Sequence, residues 1–165
     1  MYPGLTQFTP HLEILPPAQR AVWPRLVALP ADAVLYGGTA IALRLGHRAS
    51  IDFDFFLARS FDPGEMRREI AALGDVAVRR TGPNTLSVTV GSVWISLFGV
   101  NLAVVSPPEI AADIGMPVAS LLDVGATKMQ TIVDRAELGA AQVIFGSPFS
   151  PTVHSLTCRR TCATC

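Results

Sequence analysis

Residues 51–57, Ile-Asp-Phe-Asp-Phe-Phe-Leu, constrain this chain more than any other stretch. Their aromatic and branched side chains read as a β-strand. Side chains of a strand alternate between faces, so Asp52 and Asp54 share one face, about 6–7 Å apart, while Phe53 and Phe55 enter the other. A sheet holding this strand has one apolar face for helices to cover and one face where two carboxylates repel each other. A shared divalent cation relieves such repulsion, and an oxygen-only donor pair suits Mg²⁺ or Mn²⁺ rather than zinc. The plainer alternative is a pair of solvent-facing charges on an edge strand.

The elements around this strand follow from local signals. Residues 18–29 have apolar positions at helical spacing, weakened by Pro24. A short buried strand over 33–36 ends at Gly37-Gly38, and Thr39 is expected to cap a helix over 40–45 that Gly46 stops. Asp62 caps the next helix, with Pro63 at its first position and Glu65 three residues on, and that helix reaches about residue 73. Strands are predicted over 76–80, 85–90 and 93–98, joined by turns at Gly82-Pro83-Asn84 and Gly91-Ser92. The longest helical pattern runs over 118–137. The expected fold is α/β (α+β), a small mixed sheet with helices packed against it. Its limits are an irregular arm over 1–17, a domain over 18–138 and an irregular, disordered tail over 139–165.

Composition narrows the function classes. With 165 residues, 50% hydrophobic and 16% charged, the chain can bury one core and is not disordered as a whole. Thirteen basic residues against 13 acidic ones argue against a surface coated in positive charge for nucleic acid, while a local basic patch stays open. No apolar run approaches the roughly 20 residues of a membrane span, and the first residues lack the pattern of a signal peptide. A cytoplasmic protein without a membrane partner is the expectation. The 3 cysteines, Cys158, Cys162 and Cys165, read as part of the tail rather than as a thiolate cluster.

Gly37-Gly38-Thr39, between strand and helix, can let backbone approach a phosphate at a helix N-terminus, or can simply be a tight turn. Paired with a D-x-D strand one short helix later, it forms the layout of metal-assisted phosphoryl transfer. Arg48, next to His47, either touches a phosphate or covers a helix end. Trp94 is read mainly as a packing residue with base stacking as the minor alternative. Arg67-Arg68 and Arg79-Arg80 are read as solvated charge, with a tRNA-backbone contact as theirs.

The motifs GGTA, HR-x-S and DFDFF within residues 36–56 closely resemble the AbiEii/AbiGii toxin-type nucleotidyltransferases, of the DNA-polymerase-β-like (minimal) nucleotidyltransferase superfamily. The likeness continues through Phe61-Asp62-Pro63, the 83–90 hairpin and the helix carrying Lys128 and Arg135, over about residues 12–138. It implies a nucleotidyltransferase-like fold, with Asp52 and Asp54 binding Mg²⁺, Gly38 and Thr39 holding the triphosphate, and Lys128 facing the nucleotide. The implied reaction transfers a nucleoside monophosphate from an NTP to a tRNA end or a protein hydroxyl, under restraint by an antitoxin partner. The superfamily usually adds a third carboxylate on a neighbouring strand, where this chain has Ser96, and the C-terminal helices expected of the family are not evident after Leu138. A catalytically silent nucleotide-binding or interaction module of the same fold, whole or truncated, is therefore the rival reading.

Overall fold

The structure, a computed structural model, describes residues 5–101 and 103–129. Its frame is one eight-stranded mixed sheet. The strands are β1 (Gln7–Phe8), β2 (Val34–Tyr36), β3 (Asp52–Leu57), β4 (Val76–Gly82), β5 (Thr85–Val90), β6 (Val93–Gly99), β7 (Glu109–Ala111) and β8 (Met116–Val118). They lie in the order β1-β7-β8-β2-β3-β6-β5-β4. The pairs β1/β7, β2/β8 and β3/β6 are parallel, and the others antiparallel. The helices are α1 (Pro17–Val22), α2 (Gly37–Leu45), α3 (Pro63–Glu69) and α4, described over residues 121–129. The mixed sheet with packed helices is the architecture expected from the sequence.

The aspartate–phenylalanine alternation divides the sheet as its period requires. Phe53, Phe55 and Leu57 are buried with Leu35 of β2, Leu86 and Val88 of β5, and Ile95 and Leu97 of β6. Trp23, Leu26, Met66, Ile70 and Leu73 complete this core from the helical segments. The Trp23 and Phe53 rings lie 6.0 Å apart, and Phe53 and Phe55 6.4 Å. Pro24 marks where α1 gives way to a tighter 3₁₀ stretch, Trp23–Ala28, because proline cannot supply an interior helix N–H. Asp62 caps α3 as predicted, accepting from the Glu65 N–H at 2.9 Å.

Three sequence expectations change. Thr39 is not a helix cap: α2 begins two residues earlier at Gly37, and Thr39 lies buried inside its first turn. Within the stretch read as an irregular arm, β1 pairs with β7 and Leu15 joins the core. The long helix does not start at 118, since Val118 belongs to β8 and pairs with Leu35. Strands β7 and β8 are three residues each, too short to show an alternation, and Pro117 within β8 masks the strand further. Arg44 binds this small subsheet to α2. Its guanidinium pairs with Glu109, donates to the carbonyls of Val118 and Ala119 at 2.8 and 2.7 Å, and sits over the Phe8 ring. The end of the long helical pattern and the expected tail lie outside the described residues. Among the described residues no helix is long and apolar enough to cross a membrane.

Phe53 is fully buried between Trp23 and Phe55 at the centre of the sheet. Phe53→Ala should cost about 3–5 kcal/mol, a large part of a typical domain's stability. Denaturant unfolding of the variant measures this, and a loss below about 1 kcal/mol would contradict the core assignment.

Candidate active site

Strand β3 carries Asp52 and Asp54 on the face opposite Phe53 and Phe55, with Asp52 exposed and Asp54 half-buried. Tyr36, the last residue of β2, pairs in register with Asp54, and the chain turns into α2 at the next residue. That turn needs glycine twice over. Gly37 has φ +72°, and a Cβ placed on it would stand 2.6 Å from Asp54 Oδ2. Only a residue without a side chain allows the Asp54 carboxylate to lie against the start of α2. Gly38 is similarly close to its surroundings. A Cβ there would meet Ser50 Oγ at 3.0 Å and the Arg48 guanidinium at 3.4 Å. The structure thus brings Gly37, Gly38, Arg48 and Asp54 together at the N-terminus of one helix.

Thr39 takes a supporting position. It is fully buried, and its hydroxyl donates to the Asp52 carbonyl at 2.5 Å, tying the first turn of α2 to the start of β3. Lys128 is exposed on α4, and its positive charge acts on Asp54. The link that holds this helix has no counterpart in the sequence reading. Asp123 of α4 is buried, accepts from the Tyr36 hydroxyl at 3.1 Å, and also accepts from the N–H groups of Val105 and Ser106. Ser120 caps the helix by accepting from the Asp123 N–H at 3.0 Å. Burial, with the Asp123 charge beside it, pushes the Tyr36 phenol up to about 12. A buried Asp-Tyr pair 87 residues apart leaves no local pattern, so only the Ser120 cap has a sequence signal.

The neighbouring strand supplies no third carboxylate. Ser96 of β6 pairs in register with Asp54, and its hydroxyl lies 3.2 Å from that of Ser87. Asp75 is exposed, next to the edge strand β4, and Asp113 accepts from the Trp23 indole at 2.6 Å, on the core side. Among the described residues no group of three or more His, Cys, Asp or Glu side chains is arranged to hold a metal. A pair of carboxylates fits the habit of Mg²⁺, which takes one or two protein carboxylates and fills its remaining positions from water and substrate phosphates.

Comparison with known proteins bears on this arrangement. Residues 24–93 match the family model described as nucleotidyl transferase AbiEii toxin, type IV TA system. The resemblance carried by GGTA and DFDFF is borne out. Those residues span β2 to the start of β6, including both aspartates and the glycine turn, while Ser96 and Lys128 fall beyond them. An uncharacterized protein of Aquifex aeolicus is 33% identical over 106 residues, covering 63% of this chain and 52% of that protein. The chain thus spans about half the length of that curated relative. A crystal structure of a proposed nucleotidyltransferase from Thermotoga maritima superposes with a TM-score of 0.52 at 16% identity, over 77% of this chain and 91% of that one. At that identity the likeness shows the fold, which is the nucleotidyltransferase fold.

Burial raises the Asp54 carboxyl above its usual range, Asp52 raises it further, and Lys128 opposes them. A carboxyl with a higher pKa folded than unfolded binds its proton more tightly in the native state. Its contribution to stability is full below the ordinary aspartate range, near pH 4, and is lost as pH rises through the folded value. Metal-free Asp54→Asn should therefore be more stable than the parent at neutral pH, and the advantage should vanish in acid. Thermal unfolding in chelator across pH would measure the difference. A variant less stable than the parent at pH 7 would contradict the account.

Proposed function

We propose that this chain is a metal-dependent nucleotidyltransferase of the AbiEii toxin type. It transfers a nucleoside monophosphate from an NTP to a hydroxyl on an RNA end, such as that of a tRNA, or on a protein. The observation that carries the reading is the approach of the Asp52/Asp54 strand to the glycine-started helix α2, which sets an acidic pair beside backbone N–H groups free to meet phosphate. Asp52 and Asp54 would hold Mg²⁺ or Mn²⁺, which neutralises charge on the triphosphate when bound. The backbone of Gly37 and Gly38 and the Arg48 guanidinium hold phosphate oxygens. Thr39 keeps the α2 turn in place through the Asp52 carbonyl. Lys128 meets the nucleotide or the departing pyrophosphate.

In the reaction the acceptor oxygen forms a new bond to the α-phosphorus and the bond from that phosphorus to the α–β bridging oxygen breaks. Pyrophosphate leaves with the electron pair, and the acceptor's proton goes to solvent. Ser96 is no base at neutral pH, so the site works by alignment and charge rather than by a dedicated proton acceptor. The toxin family implies an antitoxin partner, and the cytoplasm, which supplies both NTP and Mg²⁺, is the compartment this reading requires.

A second reading has its own observation. Ser96 stands in register opposite Asp54, Asp113 is engaged by Trp23 on the core side, and Asp75 lies beside β4, three strands away from β3, as a catalytically silent nucleotide-binding or interaction module would have it. Incubation with α-³²P-labelled NTPs, Mg²⁺ and a mixture of RNA and protein acceptors separates the two. Labelled acceptor from the parent, with at least a hundredfold less from Asp52→Ala at unchanged unfolding temperature, is the expected result. Equal labelling by the variant would contradict the assignment, and nucleotide binding without labelling would favour the silent module.

A further inference from the structure

The polar face of the sheet continues past the carboxylates across β6, β5 and β4. From Asp52 the in-register row runs through Trp94 to Thr89, and from Asp54 through Ser96 and Ser87 to Arg80. Trp94, the second residue of β6, leaves 47% of its surface exposed, a large aromatic surface open to solvent. On β4 the register shifts between Val78 and Arg80, leaving Arg79 as an extra residue. In a regular strand consecutive arginines would point to opposite faces. Here Arg80 pairs with Ser87, and Arg79 donates from Nε to the Thr89 hydroxyl at 3.0 Å, so both arginines serve the face that bears the carboxylates. Neither makes an ion pair with an acidic side chain among the described residues. Three strand spacings, about 14 Å, separate the carboxylates from the arginines, with the indole on the first strand beyond the aspartates.

We infer that this strip is the acceptor platform, and that it takes the single-stranded 3′ end of an RNA, with a base stacked on Trp94 and phosphates on Arg79 and Arg80. An exposed aromatic followed by two guanidiniums is the chemistry of a sequence-tolerant single strand: a π-face for the base and cations for the backbone. An acidic peptide would use the arginines and leave the indole without purpose. The platform rests on the transferase reading for its role, since it leads an RNA terminus toward Asp52.

The test uses a short 5′-fluorescein-labelled single-stranded RNA, followed by anisotropy, with Mg²⁺–NTP affinity measured on the same preparations. Trp94→Ala should weaken RNA binding about tenfold or more, and Trp94→Phe should restore most of it. Arg79→Gln/Arg80→Gln should lower the slope of log affinity against log salt by about 0.7 for each phosphate that is no longer neutralised. NTP affinity should hold in all three. RNA binding by Trp94→Ala equal to the parent's overturns the platform, as does a parent that binds no RNA while labelling a protein acceptor. RNA binding that depends on Trp94 in a parent that binds no NTP supports the platform and refutes the transferase reading.

Discussion

Two like charges on one strand face, held where a helix begins, are the constraint on which the rest of the site depends. The cost is visible in Asp54, whose carboxyl is raised by burial and by Asp52. Nothing in the core requires it, because Phe53 and Phe55 would fill the other face whatever stood at 52 and 54. The surrounding backbone is nevertheless shaped to it. Gly37 adopts a left-handed conformation and comes so close to Asp54 that any Cβ would collide with the carboxylate. Thr39 uses its hydroxyl to fix the same junction from inside. Repulsion kept at this cost, with a cationic side chain on α4 opposing it, is the arrangement that the proposed metal–triphosphate site requires.

The two faces of the sheet have divided the labour. One is an ordinary aromatic and aliphatic core, closed by Trp23, Met66 and Ile70. The other stays polar from Asp52 to the paired arginines on β4; Ser87 and Thr89 are buried within it, and near β2 the Tyr36–Asp123 bond fastens α4 over it. That bond fixes the segment carrying Lys128. Removing the hydroxyl would leave a buried carboxylate oxygen short of a partner, a cost of about 1–3 kcal/mol.

Much of this is legible in the sequence. The period-two alternation of 52–57 sets the strand and its two faces, and the Asp62-Pro63-Glu65 signal sets the start of α3 with its cap. The glycine pair and the D-x-D strand are separately weak and together informative, because the short α2 returns the chain to antiparallel pairing beside its starting strand. What stays hidden has a common cause. Strands β1, β7 and β8 are two or three residues long, and they exist through partners distant in sequence rather than through their own pattern. The Tyr36–Asp123 bond and the bulge that turns Arg79 and Arg80 to one face are likewise tertiary facts. Thr39 is not the cap its residue type suggests, because the positive φ of Gly37 lets the helix begin before it.

The central claim is that Asp52, Asp54 and the Gly37 turn form one metal–triphosphate site. Calorimetric titration of Mn²⁺ with and without NTP, on the parent and on Asp52→Asn/Asp54→Asn, tests it most directly. The account predicts NTP binding that requires the metal in the parent and disappears in the double variant, while the folded state of the variant is retained. Metal-dependent NTP binding that survives loss of both carboxylates would contradict it.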